Sequence, residues 1–107
     1  MNNEEFERVV DDQIRQCKNT LANKATIYAA DDPDRLCQFK KIATLSGCTQ
    51  LEAVRGCMAK HTTLLYDLIQ LTESLSPPSI KQWEETLKDQ INYIYLLRAV
   101  LTEEKVL

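Results

Sequence analysis

Apolar residues recur at intervals of three and four along most of this chain, the spacing that lines one face of an α-helix. The stretch from Gln50 to Leu75 carries Val54, Cys57, Met58, Leu64, Leu65 and Leu68 on one stripe. His61 projects into the middle of that stripe, and Lys60, Leu64, Asp67 and Leu71 run along its flank. The first stretch repeats Phe6, Val10, Ile14, Cys17, Leu21 and Tyr28. It is expected to start near Asn3, with Glu4, Glu5 and Glu7 in the first turn, where negative charge suits the helix dipole. Lys24 falls on this same stripe, and a lysine in a core line must snorkel, pair with a carboxylate or hold an anion.

Asp32 precedes Pro33, and the residue before proline leaves helical geometry, so the first helix ends before this point. A short second helix is predicted from about Asp34 to Ser46, apolar at Leu36, Phe39, Ile42, Ala43 and Leu45 and closed by Gly47. Arg35 in its first turn is either a solvated charge or a side chain able to close over a phosphate. Thr49-x-x-Glu52 and Ser79-x-x-Gln82 have the form of capping boxes and open the third and fourth helices, with the linker SLSPPS between them. The fourth helix has two faces. Ile80, Trp83, Leu87, Ile91, Ile94 and Leu101 form its expected core stripe. Glu85, Asp89 and Asn92 continue on the other side into Leu96 and Val100, with Tyr93 and Leu97 beside them. A helix apolar nearly all round needs cover all round. The second face is therefore expected to be covered by another subunit. The prediction is an all-α, single-domain bundle of three long helices and one short one, completed as a homo-oligomer.

Composition narrows the function classes. With 107 residues, 44% hydrophobic, 2 Gly and 3 Pro, the chain fits one small helical domain. A net charge of −3 and the lack of any lysine or arginine run argue against a nucleic-acid partner. No apolar segment approaches spanning length and the first residues are acidic, so no membrane partner and a cytoplasmic location are expected. Cys17, Cys37, Cys48 and Cys57 are then expected to stay reduced.

Lys24, Tyr28, Lys60, His61, Asp67, Glu85, Asp89, Asn92 and Tyr93 come from three predicted helices and sit on or beside core-facing stripes. Bundles build ligand sites from such facing positions. Lysine and histidine suit phosphate, carboxylate and amide suit ribose hydroxyls or base edges, and tyrosine suits stacking on a base. The set points to a nucleotide more than to a peptide or lipid. The competing explanation is a buried charge network that sets helix register. Magnesium-dependent hydrolysis would draw on Glu85, Asp89 and Asp67, a thin carboxylate set for two metals. Zinc would draw on Cys57 and His61, four apart, with Cys37 and Cys48, although no C-x-x-C knuckle is present. No P-loop, G-x-S-x-G or glycine-rich loop is visible.

The elements Lys24-Ala-Thr-Ile-Tyr28, Asp34-Arg35-Leu36, Glu52-Ala53, Lys60-His61, Asp67, Trp83-Glu84 and Asp89-x-x-Asn92-Tyr93 resemble a group of small all-helical proteins of unknown function encoded by phages and prophages of low-GC Gram-positive bacteria. That group is distantly similar to the MazG-like all-α nucleoside triphosphate pyrophosphohydrolases. In that superfamily one helix carries E-E-x-x-E and a later one E-x-x-D. Glu85 and Asp89 would correspond to the later element, whereas Lys60, His61 and Asp67 stand where the earlier one would be. The resemblance implies a MazG-like bundle in a bacterial host cell. It implies binding, and possible sequestration, of a nucleotide or nucleotide-derived defence signal, by Lys24, Tyr28, Arg35, Lys60, His61, Asp67, Asp89, Asn92 and Tyr93, without cleavage and without a cofactor. The rival implications are pyrophosphohydrolysis with magnesium, and a small protein-protein interaction module.

Overall fold

The computed structural model describes residues 1–28 and 32–107, with the side chains of 25–28 left aside. Four helices follow in order: α1 (Asn3–Tyr28), α2 (Cys37–Ser46), α3 (Gln50–Thr72) and α4 (Ile80–Glu103), with no strand among the described residues. None of them is long and apolar enough to cross a membrane. The principal contacts run α1 on α4, α4 on α3 and α3 on α2.

The helix starts follow from local chemistry. Thr49 and Ser79 each accept from the backbone N–H three residues on, and Glu52 and Gln82 reach back to complete both boxes. At α1 the cap is Asn2, one residue before the expected Asn3: its Oδ1 accepts from the Glu5 N–H at 2.9 Å, and Glu5 returns the bond to the Asn2 N–H. α2 begins at Cys37, later than expected, because Asp32 and Asp34 hold the preceding turn by accepting from the N–H groups of Asp34 and Leu36. Gly47 ends α2 at φ 65°, a left-handed geometry that costs a residue with a Cβ roughly 1–2 kcal/mol.

The core is small. Leu36, Phe39, Val54 and Val100 are buried together, with Leu51, Cys57, Met58, Tyr93, Leu96 and Leu97 packed around them. This reverses the expected roles of the two faces of α4. Thr86, Asn92 and Val100 are the buried positions, while Ile80, Leu87 and Ile94, expected in the core stripe, are exposed. The cause is the neighbour: α4 turns its Asp89–Val100 line toward α2 and α3, whose Phe39 and Val54 supply the apolar contacts. A hydrogen bond from Gln90 Nε2 to Thr62 Oγ1 at 3.0 Å ties α4 to α3 on the same side. Val100, with the partly buried Leu96 beside it, thus packs into the chain's own core.

Lys40 clasps the two ends of the fold. Its ammonium pairs with Asp34 before α2 and with Glu103 at the end of α4, the latter at 2.8 Å. The bonds to Asp34 and then Glu103 push the Lys40 pKa up. The bond from Lys40, followed by the Leu36 N–H, holds the Asp34 carboxyl below the usual carboxylate range. A depressed carboxylate stabilises above its unfolded pKa of about 3.9 and loses that contribution as pH falls through the lower folded value. A raised lysine stabilises below its unfolded pKa of about 10.4 and loses it only above that. The melting difference between the parent and Lys40→Met should therefore be constant from about pH 5 to 9 and shrink below about pH 4. A difference that persists at pH 2 would contradict the clasp.

Candidate functional site

All four helices contribute to one cavity of about 270 Å³. α1 brings Leu21 and Lys24 from adjacent turns, α3 brings Cys57, and α4 brings Asp89, Asn92, Tyr93 and Leu96. The turn before α2 brings Arg35, and Gln38, Phe39 and Ile42 follow on the same side of α2. The α4 set is spaced three, four and seven residues from Asp89, which is one helix face.

Asp89 is the electrostatic centre. Its Oδ1 lies 3.3 Å from Lys24 Nζ and its Oδ2 4.0 Å from His61 Nδ1. The first is a hydrogen-bonded ion pair, and the second is too long for a hydrogen bond. Arg35 donates from Nη2 to the Leu21 carbonyl at 3.4 Å, and most of its five N–H groups meet no acceptor among the described residues. Among the described residues that line the cavity, Lys24 and Arg35 stand with one carboxylate, Asp89. The His61 ring lies 4.7 Å from the Tyr93 ring at 31°, and Phe39 stands 6.4 Å from Tyr93 at 60°, so the cavity has an aromatic wall.

Asn92 has the most costly surroundings. It is only 3% exposed, and neither its Nδ2 nor its Oδ1 has a hydrogen-bond partner among the described residues. Each such group forfeits about 1–3 kcal/mol of hydration.

The structure gathers Lys24, Arg35, Asp89, Asn92 and Tyr93 around the cavity and places His61 at its edge. Tyr28 ends α1, and its side chain is among those left aside. Lys60 and Asp67 are exposed on the outer flank of α3, and Glu85 is exposed on α4 with its carboxylate 4.0 Å from Lys81. These three do not join the site. The flank of α3 that carries Lys60 and Asp67 faces solvent because α4 covers the neighbouring stripe. Asp67 and Glu85 accordingly do not converge on Asp89. Among the described residues no three of His, Cys, Asp and Glu come together as a metal set, Cys57 and His61 included. The cysteines are thiols, with Cys17 and Cys37 buried. Gln38 and Phe39 were legible as site residues only through Arg35: they sit three and four positions further along the same helical side.

Lys24 is half-exposed, and such an ion pair is worth at most about 1 kcal/mol. Lys24→Met should therefore leave folding stability within about 1 kcal/mol of the parent, and exposed Lys60→Met within about 0.5 kcal/mol. Urea titrations check both, and a loss of several kcal/mol at Lys24 would make its pair with Asp89 a structural one. No protein-family model matches the chain, and no match was found among curated proteins or solved structures.

Proposed function

We propose that the cavity binds a small monoanionic nucleotide or nucleotide-derived signal and holds it without cleaving it. The observation that carries this reading is the buried Asn92 amide. Both its polar atoms are closed to solvent in the unliganded chain, on a residue that lines the cavity. Turned into the cavity, the amide would be a bidentate match for the edge of a nucleobase and would gain the partners it lacks among the described residues. The neighbours fit the same ligand. Phe39 and Tyr93 offer a ring wall for stacking, and Arg35 and Lys24 offer charge-assisted bonds to a phosphate. Charge and size refine the class. The excess of one cation among the described lining residues balances one phosphodiester better than a triphosphate. A cavity of about 270 Å³ sits at the small end of ligand pockets, which suits one nucleoside rather than two.

The pyrophosphohydrolase alternative needs carboxylates aimed at one point, and Asp67, Glu85 and Asp89 diverge. The resemblance to phage and prophage proteins suits retention of a ligand, since a protein that sequesters a host defence messenger need only bind it. Thermal melts with 3′,5′-cyclic mononucleotides, nucleoside monophosphates and triphosphates test the reading. A cyclic mononucleotide should raise the melting temperature of the parent. Arg35→Met should weaken its binding by about tenfold or more, through loss of a charged hydrogen bond. No shift with any of the panel at millimolar concentration would overturn the proposal, and turnover of a triphosphate with magnesium would favour the enzyme.

A further inference from the structure

A large apolar surface on α1 and α4 remains uncovered by the chain itself. Every residue from Met1 to Asp11 is exposed, yet residues 3–11 are helical. An isolated helical segment of this length is marginal in water unless something packs on it. Apolar side chains are left exposed on both helices: Phe6 is 58% exposed and Ile94 51%, and Val9, Val10, Ile14, Leu87 and Tyr95 are exposed as well. Val10, Ile14, Leu87, Ile91 and Tyr95 line an open groove of about 370 Å³ between the two helices. The whole surface is large for the mass. It measures 7917 Å², where a globular chain of 12.3 kDa exposes roughly 6,100 Å². The radius of gyration is 16.0 Å against about 13 Å for this length. An excess of roughly 1,800 Å² per chain is what one partner contributes to an obligate homodimer interface.

The charge pattern of α1 says what covers the groove. Residues 3–12 carry five carboxylates and one arginine, whereas residues 13–24 carry three cations and no carboxylate. A helix acidic at one end and basic at the other complements itself when a second copy lies antiparallel to it. We propose that a second copy of this chain docks here about a two-fold axis near Val10, with each α1 laid along the α1–α4 groove of the other. The dyad sets Phe6 against the partner's Ile14 and brings Glu4 to the flank that carries the partner's Lys18. This interface is isologous, as a closed two-fold requires. It differs from the subunit contact expected through Leu96 and Val100, and it does not depend on what the cavity binds.

Sedimentation velocity of the full chain at about 10 µM should give twice 12.3 kDa. A mass of 12.3 kDa at about 100 µM would overturn the proposal, and would leave a different protein as the cover. Val10→Glu should shift the mass to that of a monomer. Because α1 is free to unravel in that variant, two further measurements keep the test decisive. Val10→Cys should form a disulfide-linked dimer on mild oxidation, while Leu45→Cys, exposed on α2, should not. Glu4→Lys should weaken the dimer about threefold, and adding Lys18→Glu should restore it. A dimer that survives Val10→Glu, fails to cross-link through Val10→Cys, or is not restored by the second charge reversal would rule out the antiparallel α1 pairing.

Discussion

Asn92→Leu should raise the stability of the ligand-free protein and abolish its binding. Leucine shares the branching of asparagine but is larger, and the position, 3% exposed, borders the cavity, which can take the extra volume. The substitution removes two buried polar atoms that have no partner among the described residues. Replacing an unsatisfied buried group by an apolar one of similar shape recovers about 1–3 kcal/mol. For a domain of this size that corresponds to about 4–12 °C in melting temperature. A bound base would lose its donor and its acceptor together, so affinity should fall by about a hundredfold. Stability and binding therefore move in opposite directions, which a merely structural asparagine would not produce. Calorimetry of Asn92→Leu with and without a cyclic mononucleotide reads both. A destabilised variant with unchanged affinity would remove Asn92 from the site. Asn92→Asp makes the complementary case: a carboxylate cannot donate and resists burial, so this variant should be less stable than the parent.

Phe39→Ala should cost about 3–5 kcal/mol, the largest loss expected from a single substitution here. Phe39 is buried between Leu36, Val54 and Val100, and it is the principal aromatic anchor of α2. α2 is only 10 residues long, too short to persist without docking. The core has few other buried side chains to compensate, and a domain of this kind is stable by about 5–15 kcal/mol in all. Urea unfolding should show a lower midpoint with an unchanged slope. Leu45→Ala on the exposed side of the same helix should change stability by no more than about 0.5 kcal/mol. A Phe39→Ala loss below about 1 kcal/mol would mean that α2 is not held on α3 and α4 as described. The cavity shares Phe39 with the core, so binding should fail in this variant along with folding.

How much was legible in the sequence depends on how local each feature is. The helices and most of their ends could be read directly, because caps are contacts between residues two or three apart: Thr49 with Glu52, Ser79 with Gln82, and the left-handed Gly47. Half of the candidate site was legible for a related reason. Lys24 on an apolar stripe, and Asp89, Asn92 and Tyr93 on one face of α4, break a hydrophobic pattern, and their anomaly is visible in one dimension. The choice between the two faces of α4 was not. Ile91, Ile94, Leu96, Leu97 and Val100 are apolar around the whole helix, so periodicity admits either face as the core. Only the packing of Phe39 and Val54 against Val100 decided it, burying Asn92 and leaving Ile94 in solvent. The same packing separated Lys60, Asp67 and Glu85 from the site, although they share helices with residues that line it. A side chain's membership in a site depends on the neighbour its face meets, and that neighbour is fixed by contacts between residues far apart in the chain, as Lys24 meeting Asp89 across 65 positions illustrates.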